Sequence, residues 1–291
     1  MNMPDIVSYN PYDLPLRERH RLLTGAIGPR PICWASTISE DGKMNLAPYS
    51  FFNLFSSNPP ILVFSSNRRG RDNTTKDTYH NILSTKEVVV NIVSHNLVHQ
   101  MNISSTDYSE EINEFAKAGV TALPSETIRP CRVKEAYVQL ECSLEEAKHL
   151  GNEGGAGTLF ICAIQKIHIH SAILAEDGLI DAQKIDVVGR LGRNEYVRAS
   201  GDAIFTIDNP FEKQNLGFDR LPKGLTESKL LTGAELAKLA METRLPSEQD
   251  LRLIKDNPPE DEEALHRMVR EKIKQGDLQG GLALAINFYR D

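Results

Sequence analysis

Most of the motifs that reveal chemistry in a sequence are missing from this chain of 291 residues. It has no G-x-S-x-G nucleophile motif and no H-E-x-x-H metal motif. Neither glycine spacing that cradles nucleotide phosphates, G-x-x-x-x-G-K-[ST] or G-x-G-x-x-G, occurs. The glycines of residues 151–157 are therefore interpreted as a mobile hairpin tip. Because no dyad or triad spacing stands out either, no catalytic residue is named.

The chain is also poor in metal-ligand patterns. Its four cysteines form no C-x-x-C pair and no zinc spacing, and three of them lie in apolar runs. Buried, reduced thiols in a cytoplasmic protein are expected. His95 and His99 have metal-ligand spacing, but no third ligand is evident, so we predict no metal site.

Long apolar runs and excess positive charge are absent as well. No run approaches the roughly 20 residues that span a bilayer, and the first residues lack a secretory signal pattern. The net charge of -7 disfavours a surface that wraps nucleic acid. We therefore expect a cytoplasmic protein that binds neither membrane nor nucleic acid.

The first informative stretch is residues 30–53, RPICWASTISEDGKMNLAPYSFFN. Its alternation predicts a strand with Trp34 and Ser36 on one face and Thr37 on the other. Asp-Gly then signals a tight turn, and a return strand places Asn45 and Ala47 near Ser36 and Thr37. We expect Pro48 to end the pairing, with an aromatic and polar corner after it.

In the second stretch, residues 61–81, a predicted buried strand is followed by a loop. The loop is rich in hydroxyl and amide side chains and contains three arginines and a lysine. This mixture suits a phosphate, because arginine and lysine supply charge while serine and threonine donate short hydrogen bonds. A helix capped by Asp77 or Thr78 would add backbone N–H groups. The composition alone leaves a solvated surface loop as an open alternative.

The remaining pattern predicts a mainly β, α+β unit followed by helices. Strands are expected at residues 87–93, 133–150 and 158–169, and residues 189–196 form either an anionic-substrate rim or an oligomer contact. Near residue 205 the pattern becomes helical, and Thr232 and Glu235 form a capping box. We predict a domain at residues 1–205 and a helical extension at residues 206–291, which acts as packing or as dimer cover.

Several segments, taken in order, resemble the flavin reductase-like family with the FMN-binding split-barrel fold. They are residues 30–53, PPILVFSSN, KDTYHNI, VVVNIV and the late GTLFICAIQKIHIH, DGLID and GRLGRNEY. The resemblance covers roughly residues 20–200 and implies a Greek-key β-barrel with flanking helices. It also implies a homodimer that binds FMN near the subunit boundary. The long helical tail departs from many members of the family.

The resemblance carries cofactor contacts onto eleven residues. The first strand would supply Trp34, Ser36 and Thr37 beside the cofactor. The hairpin would supply Asn45, Ala47 and Ser50 to the isoalloxazine edge. The ribityl chain and phosphate would be bound by Ser65, Ser66, Asn67, Lys76 and Thr78. Arg193 and Tyr196 are candidates for substrate contact, since an arginine could pair with a dinucleotide phosphate.

Three functions are consistent with this sequence. The leading hypothesis is an NAD(P)H-dependent flavin reductase, in which hydride passes to the flavin N5 and electrons continue to an acceptor or a partner oxygenase. The second is an FMN-binding electron carrier, similar to flavoredoxin, that serves a redox partner without reductase activity of its own. The third is a dimer that has lost the flavin and acts as an interaction module, which the intact phosphate loop argues against.

Overall fold

The structure, a computed structural model, describes residues 5–207, 214–253 and 259–290. The chain divides into two compact units, with the boundary between Phe205 and Thr206. That these units are a flavin-binding domain and a separate helical extension stays a prediction.

The first unit is built around a seven-stranded antiparallel sheet. Its strands are β1 (Cys33–Ile38), β2 (Met44–Tyr49), β3 (Phe52–Ser57), β4 (Pro60–Asn67), β5 (Glu87–Ile92), β8 (Val138–His149) and β9 (Gly157–Ile169). Their order is β2-β1-β5-β8-β9-β4-β3, so the chain crosses between strands distant in sequence. Two short pairs complete the unit: β6 (Ala122–Leu123) with β7 (Arg132–Val133), and β10 (Val188–Arg190) with β11 (Tyr196–Arg198).

The alternation of β1 divides its side chains between two hydrophobic cores. Cys33 and Ala35 pack with strand residues such as Phe64 and Phe160. Trp34 joins a separate core that also contains Leu46 of β2 and Phe115. The predicted hairpin is present, with Thr37 opposite Asn45 and Ala35 opposite Ala47.

Short helices flank the sheet. In the first unit they are α1 (Leu16–Ala26), α2 (Asp77–Thr85), α3 (Val98–Ile103), α4 (Glu114–Ala118) and α5 (Ala182–Ile185). Helix α2 packs on β1, and α4 packs on β2. The residue that caps α2 is Lys76 rather than Asp77 or Thr78, and no side chain accepts from its first turn.

One local expectation was wrong at Pro48. The strand continues through Pro48, which lies opposite Trp34, and ends at Tyr49. Proline is tolerated because β2 is at the edge of the sheet, where a backbone N–H on the open side would have no neighbouring strand to donate to. The expected corner is a bend at residues 50 and 51, after which β3 begins and pairs with β4, with a bulge between Leu54 and Ser56.

The second unit contains helices α6 (Lys223–Thr226), α7 (Gly233–Ala240), α8 (Glu248–Leu253), α9 (Glu262–Lys274) and α10 (Leu278–Phe288). It has a core of its own, which includes Leu239, Leu265 and Leu282. The predicted capping box opens α7, where Thr232 accepts from the Glu235 N–H and the Glu235 carboxylate accepts from the Thr232 N–H. The expected separation into a β-rich region and a helical region thus has a structural basis in separate cores.

Candidate functional site

Two adjoining cavities lie in the first unit, where β2 ends and α2 begins. The first has a volume of about 380 Å³ and the second about 390 Å³. Both are lined by Pro48, Tyr49 and Lys76. Each falls within the size range of small-ligand sites, and the shared residues make them parts of one recess.

Lys76 is the cation at the junction of the cavities. Its side chain is half-buried, and its Nζ lies 5.2 Å from the centroid of the Tyr49 ring. Burial lowers the pKa of Lys76, and the nearby Arg69 guanidinium lowers it further. The more distant charge of Asp107 opposes this lowering, but among the residues that the structure describes the Lys76 ammonium forms no direct hydrogen bond or ion pair with a carboxylate. A half-buried ammonium without a direct ion pair favours an anionic ligand.

Asn45 is fixed at the first cavity by a buried polar network. Its Oδ1 accepts from the Thr78 hydroxyl at 2.7 Å and from the Thr37 hydroxyl at 3.2 Å. Its Nδ2 donates to Glu114 Oε1 at 3.2 Å, and Asn81 Nδ2 donates to Thr37 at 3.1 Å. Burial raises the pKa of Glu114. The network ties the hairpin to α2 and α4, so the wall of this cavity is held in one arrangement.

The arginines of the polar loop are mostly occupied within the protein. Arg68 folds onto Asn73, with Nε donating to Oδ1 and Nη2 to the backbone oxygen, both at 2.6 Å. Arg69 and Arg71 share the carboxylate of Asp107. The composition of this loop predicted a phosphate cradle, but within the described residues only its lysine lacks such a partner.

The second cavity is lined by cations and hydrogen-bond donors. Its polar lining includes Ser50, Ser65 and Asn67, and Ser65 donates to Asn67 Oδ1 at 3.0 Å. Gly157 lies against this corner, since a Cβ there would be 2.5 Å from Ser65 Oγ. Only glycine leaves the serine hydroxyl its position, so this side of the cavity is shaped at the backbone level.

Four arginines distant in sequence also line the second cavity; we name Arg21, Arg30, Arg190 and Arg193 the arginine cluster. Arg30 is buried and donates to the carbonyl oxygens of Thr24, Ile27 and Leu191. No role was assigned to Arg21 or Arg30 from the sequence. Nothing in the local sequence could have joined them, because the chain path alone brings them together.

The predicted cofactor residues are distributed around this recess unevenly. Seven of the eleven line one of the two cavities: Asn45, Ala47, Ser50, Ser65, Asn67, Lys76 and Thr78. The other four are buried and line neither: Trp34, Ser36, Thr37 and Ser66.

Two of these four have clear structural partners. Trp34 Nε1 donates to Ser104 Oγ at 2.8 Å, and Thr37 supports Asn45 from behind. The Ser36 hydroxyl is buried without a hydrogen-bond partner in the described part of the chain. Direct cofactor contact by these side chains stays a prediction.

The two candidate substrate residues lie on or beside the β10–β11 hairpin. Arg193 lines the second cavity and has a φ of 52°, a left-handed conformation that is uncommon outside glycine. Tyr196 lies outside the lining, and the Arg190 guanidinium stacks 4.5 Å from its ring centroid. The tyrosine therefore positions an arginine of the cavity.

The donor set of the recess fits a flavin nucleotide. Lys76 and the arginines suit a phosphate, while Ser50, Ser65 and Asn67 suit the hydroxyls and amide edge of such a ligand. Burial raises the pKa of Tyr49 to about 12. Its hydroxyl lies near those of Thr78 and Ser66 but makes no hydrogen bond of good geometry within the described residues.

The described residues contain no group of three or more histidine, cysteine, aspartate or glutamate side chains that could hold a metal ion. None of their helices is both long enough and apolar enough to cross a membrane.

Comparison with known proteins gives consistent matches. An uncharacterized protein of Aquifex aeolicus (strain VF5) is 41% identical over 183 residues, covering 63% of this chain and 91% of that protein. Nitrilotriacetate monooxygenase component B from Bacillus cereus superposes with a TM-score of 0.66 at 30% identity, covering 70% of this chain and all of that one. A structure described as a candidate flavin reductase with a split barrel domain, from Shewanella frigidimarina NCIMB 400, has a TM-score of 0.58 at 24% identity, covering 68% and 96%.

These matches confirm the split-barrel fold and the family resemblance of the sequence. The Flavin reductase like domain matches residues 27–185, which contain every strand of the seven-stranded sheet. Most of the recess lies in the same range. The chain therefore belongs to the flavin reductase-like family.

Proposed function

We propose that this protein is an FMN-binding, NAD(P)H-dependent flavin reductase that passes electrons to a separate acceptor. The single observation that carries the proposal is Lys76, a half-buried cation that forms no direct ion pair in the described chain, at the junction of two cavities. Family membership adds the flavin chemistry, because the matched domain is that of flavin reductases.

The residues of the recess would divide the cofactor between them. Lys76 and Thr78 would bind the phosphate, and Ser65 and Asn67 the ribityl hydroxyls. Asn45, Ala47 and Ser50 would border the isoalloxazine ring, with Asn45 held in place by its buried network. Trp34, Ser36, Thr37 and Ser66 are buried and would act from behind this layer.

When bound, FMN supplies hydride acceptance from a reduced nicotinamide and onward electron transfer. The protein then needs to bind, orient and partly shield the reactants, not to activate a nucleophile. This requirement agrees with a lining of hydroxyls, amides and cations. It also explains why Arg193 and Tyr196 are proposed to contact or support the donor and not to transfer protons.

Spectroscopy of the purified protein tests the proposal directly. We expect FMN to bind with one site per chain and its visible absorption to bleach when NADH or NADPH is added anaerobically. Bound flavin that neither nucleotide reduces would contradict the reductase function and would indicate an electron carrier. Protein that takes up no FMN, with the Lys76→Ala variant behaving identically, would contradict the cofactor site itself.

We also propose that the protein forms a homodimer and supplies an oxygenase or another redox partner in the cytoplasm. The exposed Leu54 and Phe55 on edge strand β3 support self-association, because a paired edge would cover them. Similarity to a protein named as a monooxygenase component supports the second partner. Analytical ultracentrifugation of the parent and of a Leu54→Lys variant tests the dimer, which the lysine should weaken.

A further inference from the structure

The arginine cluster carries more positive charge than one cofactor phosphate requires. The second cavity is lined by Lys76 and by the four arginines of the cluster, and by no aspartate or glutamate. None of these five cations forms an ion pair within the described residues. This concentration arises in a chain of net charge -7, so it is not a reflection of overall composition.

The arrangement places like charges together at a structural cost. Arg30 and Arg190 lie opposite each other in an antiparallel bridge, with backbone hydrogen bonds of 2.9 and 2.8 Å in the two directions. Like charges at such positions repel. Burial lowers the pKa of Arg30, and the charge of Arg190 adds to that effect. A ligand of opposite charge would remove this repulsion.

The inner pair of arginines is held rigidly. Three carbonyl oxygens and the Ser50 hydroxyl occupy the guanidinium of Arg30. Arg190 stacks on Tyr196, and its Nη2 donates to the Arg193 carbonyl oxygen. Gly189 permits this packing, because a Cβ there would lie 2.7 Å from Pro29 Cβ.

The outer pair is exposed and has its hydrogen-bond donors available. In the described structure, the side chains of Arg21 and Arg193 make no hydrogen bond or ion pair. Both also line a neighbouring cavity of about 520 Å³, where Glu18 is the one acidic lining residue. The positive surface therefore extends from Lys76 through the second cavity into this neighbouring one.

We propose that Arg21 and Arg193, the outer pair of the arginine cluster, bind the 2′-phosphate of a phosphorylated nicotinamide dinucleotide whose pyrophosphate lies near the charges of the inner pair, so that NADPH is preferred over NADH. The inference rests on the proposed function, because it assigns the electron donor of the same site. NADPH carries roughly four negative charges near neutral pH, of which the 2′-phosphate supplies about 1.5 to 2. The four arginines together match that charge, and the free guanidinium groups of Arg21 and Arg193 can pair with a phosphate in a bidentate manner.

Calorimetric titration of the FMN-saturated protein with NADP⁺ and NAD⁺ tests the proposal without catalysis. We expect NADP⁺ to bind about tenfold more tightly, with a preference that decreases at high salt. The double variant Arg21→Gln/Arg193→Gln should reduce NADP⁺ affinity to that of NAD⁺ and leave NAD⁺ affinity within about twofold. Arg17→Gln, which removes one positive charge from the helix that carries Arg21 but lies outside both cavities, should leave the preference intact.

Two results would overturn the proposal. One is equal affinity of the parent for NADP⁺ and NAD⁺. The other is a double variant that loses affinity for FMN but not for riboflavin, since the cluster would then bind the cofactor phosphate. The proposed function fails separately: if NADP⁺ is preferred but NADPH does not bleach the flavin, the phosphate site stands and the reductase activity does not. If NADP⁺ and NAD⁺ bind equally and both reduced nucleotides bleach the flavin, the reductase activity stands and the phosphate site does not.

Discussion

Two charged sites in the first unit differ in whether the chain itself supplies partners for the charge. The Glu141 carboxylate on β8 is fully buried, and this chain supplies all its partners. It accepts from the backbone N–H of Glu126 at 2.8 Å and of Thr127 at 2.7 Å, and His168 Nε2 lies 2.7 Å away. The arginine cluster, by contrast, has no counter-ion among the described residues.

The contrast separates a structural charge from a charge that serves a ligand. A buried carboxylate with several donors fastens the segment before β7 to the sheet, and its charge is satisfied when the chain folds. Cations left without partners keep their attraction for something that is not part of the chain. The same distinction applies within the first cavity, where Arg69 and Arg71 share Asp107 but Lys76 has no such partner.

The largest expected effect comes from replacing Glu141, the buried carboxylate whose charge is satisfied within the chain. Glu141→Gln replaces an acceptor with an amide that faces N–H donors, and we expect a loss of about 3 kcal/mol in the free energy of unfolding at pH 7. Urea denaturation would measure it. Glu126→Gln, at an exposed partner of Lys166, is the matched control and should change stability little.

The shifted pKa of Glu141 makes the stability effect of this substitution depend on pH. Burial opposes ionisation of Glu141, but hydrogen bonds from Thr127 and the Glu126 backbone lower its pKa to about 2. An unfolded glutamate titrates near about 4.3, so the stabilisation is present above that pH and is lost as the pH falls toward 2. The stability difference between parent and Glu141→Gln should therefore shrink in acid. A difference that stays constant from pH 7 to pH 2 would contradict the assignment.

A second prediction removes the unpaired cation. Lys76→Ala should weaken FMN binding by about 2 kcal/mol, or roughly 30-fold, because a phosphate would lose its partly buried partner. Flavin fluorescence titration would measure this, with riboflavin as the matched ligand that lacks the phosphate. Affinity for riboflavin should hardly change. An equal loss for both flavins, or no loss for FMN, would place the phosphate elsewhere.

A smaller effect should follow when a satisfied pair is opened. Asp107→Asn frees Arg69 and Arg71 from their shared carboxylate, which makes the first cavity more like the second. We expect FMN affinity to rise by about two- to threefold at low salt and to return toward the parent value at high salt. Asp72→Asn, at an exposed carboxylate outside the cavity lining that contacts Arg71, is the control. Weaker FMN binding in Asp107→Asn would show that this pair orders the cavity.

The smallest effect on flavin binding is expected from deleting the second unit. Removing residues 206–291 should leave FMN affinity within about twofold, because the match to the family and both cavities fall in the first unit. Dimerisation or thermal stability should decrease, as sedimentation and thermal unfolding would show. A folded barrel that has lost all flavin would instead place the second unit at the site.

Much of the local structure could be predicted from neighbouring residues. The alternation of β1, the Asp-Gly turn and the Thr232 capping box each depend on contacts within a few positions. The path through Pro48 was predicted wrongly, because tolerance of proline depends on whether a strand is at the edge of the sheet. The edge position of β2 is a property of the strand order and not of its own residues.

By itself the sequence determined the β-rich and helical halves, the hydroxyl- and cation-rich loop after β4, and the family resemblance. Only the tertiary structure decided which cations are neutralised. Arg69 meets Asp107 across 38 positions, and Arg30 meets Leu191 across 161. Short-range patterns follow from backbone geometry, which neighbouring residues specify, whereas pairing of charges depends on the path of the whole chain. That path leaves Lys76 and the arginine cluster without an ion pair in the described chain.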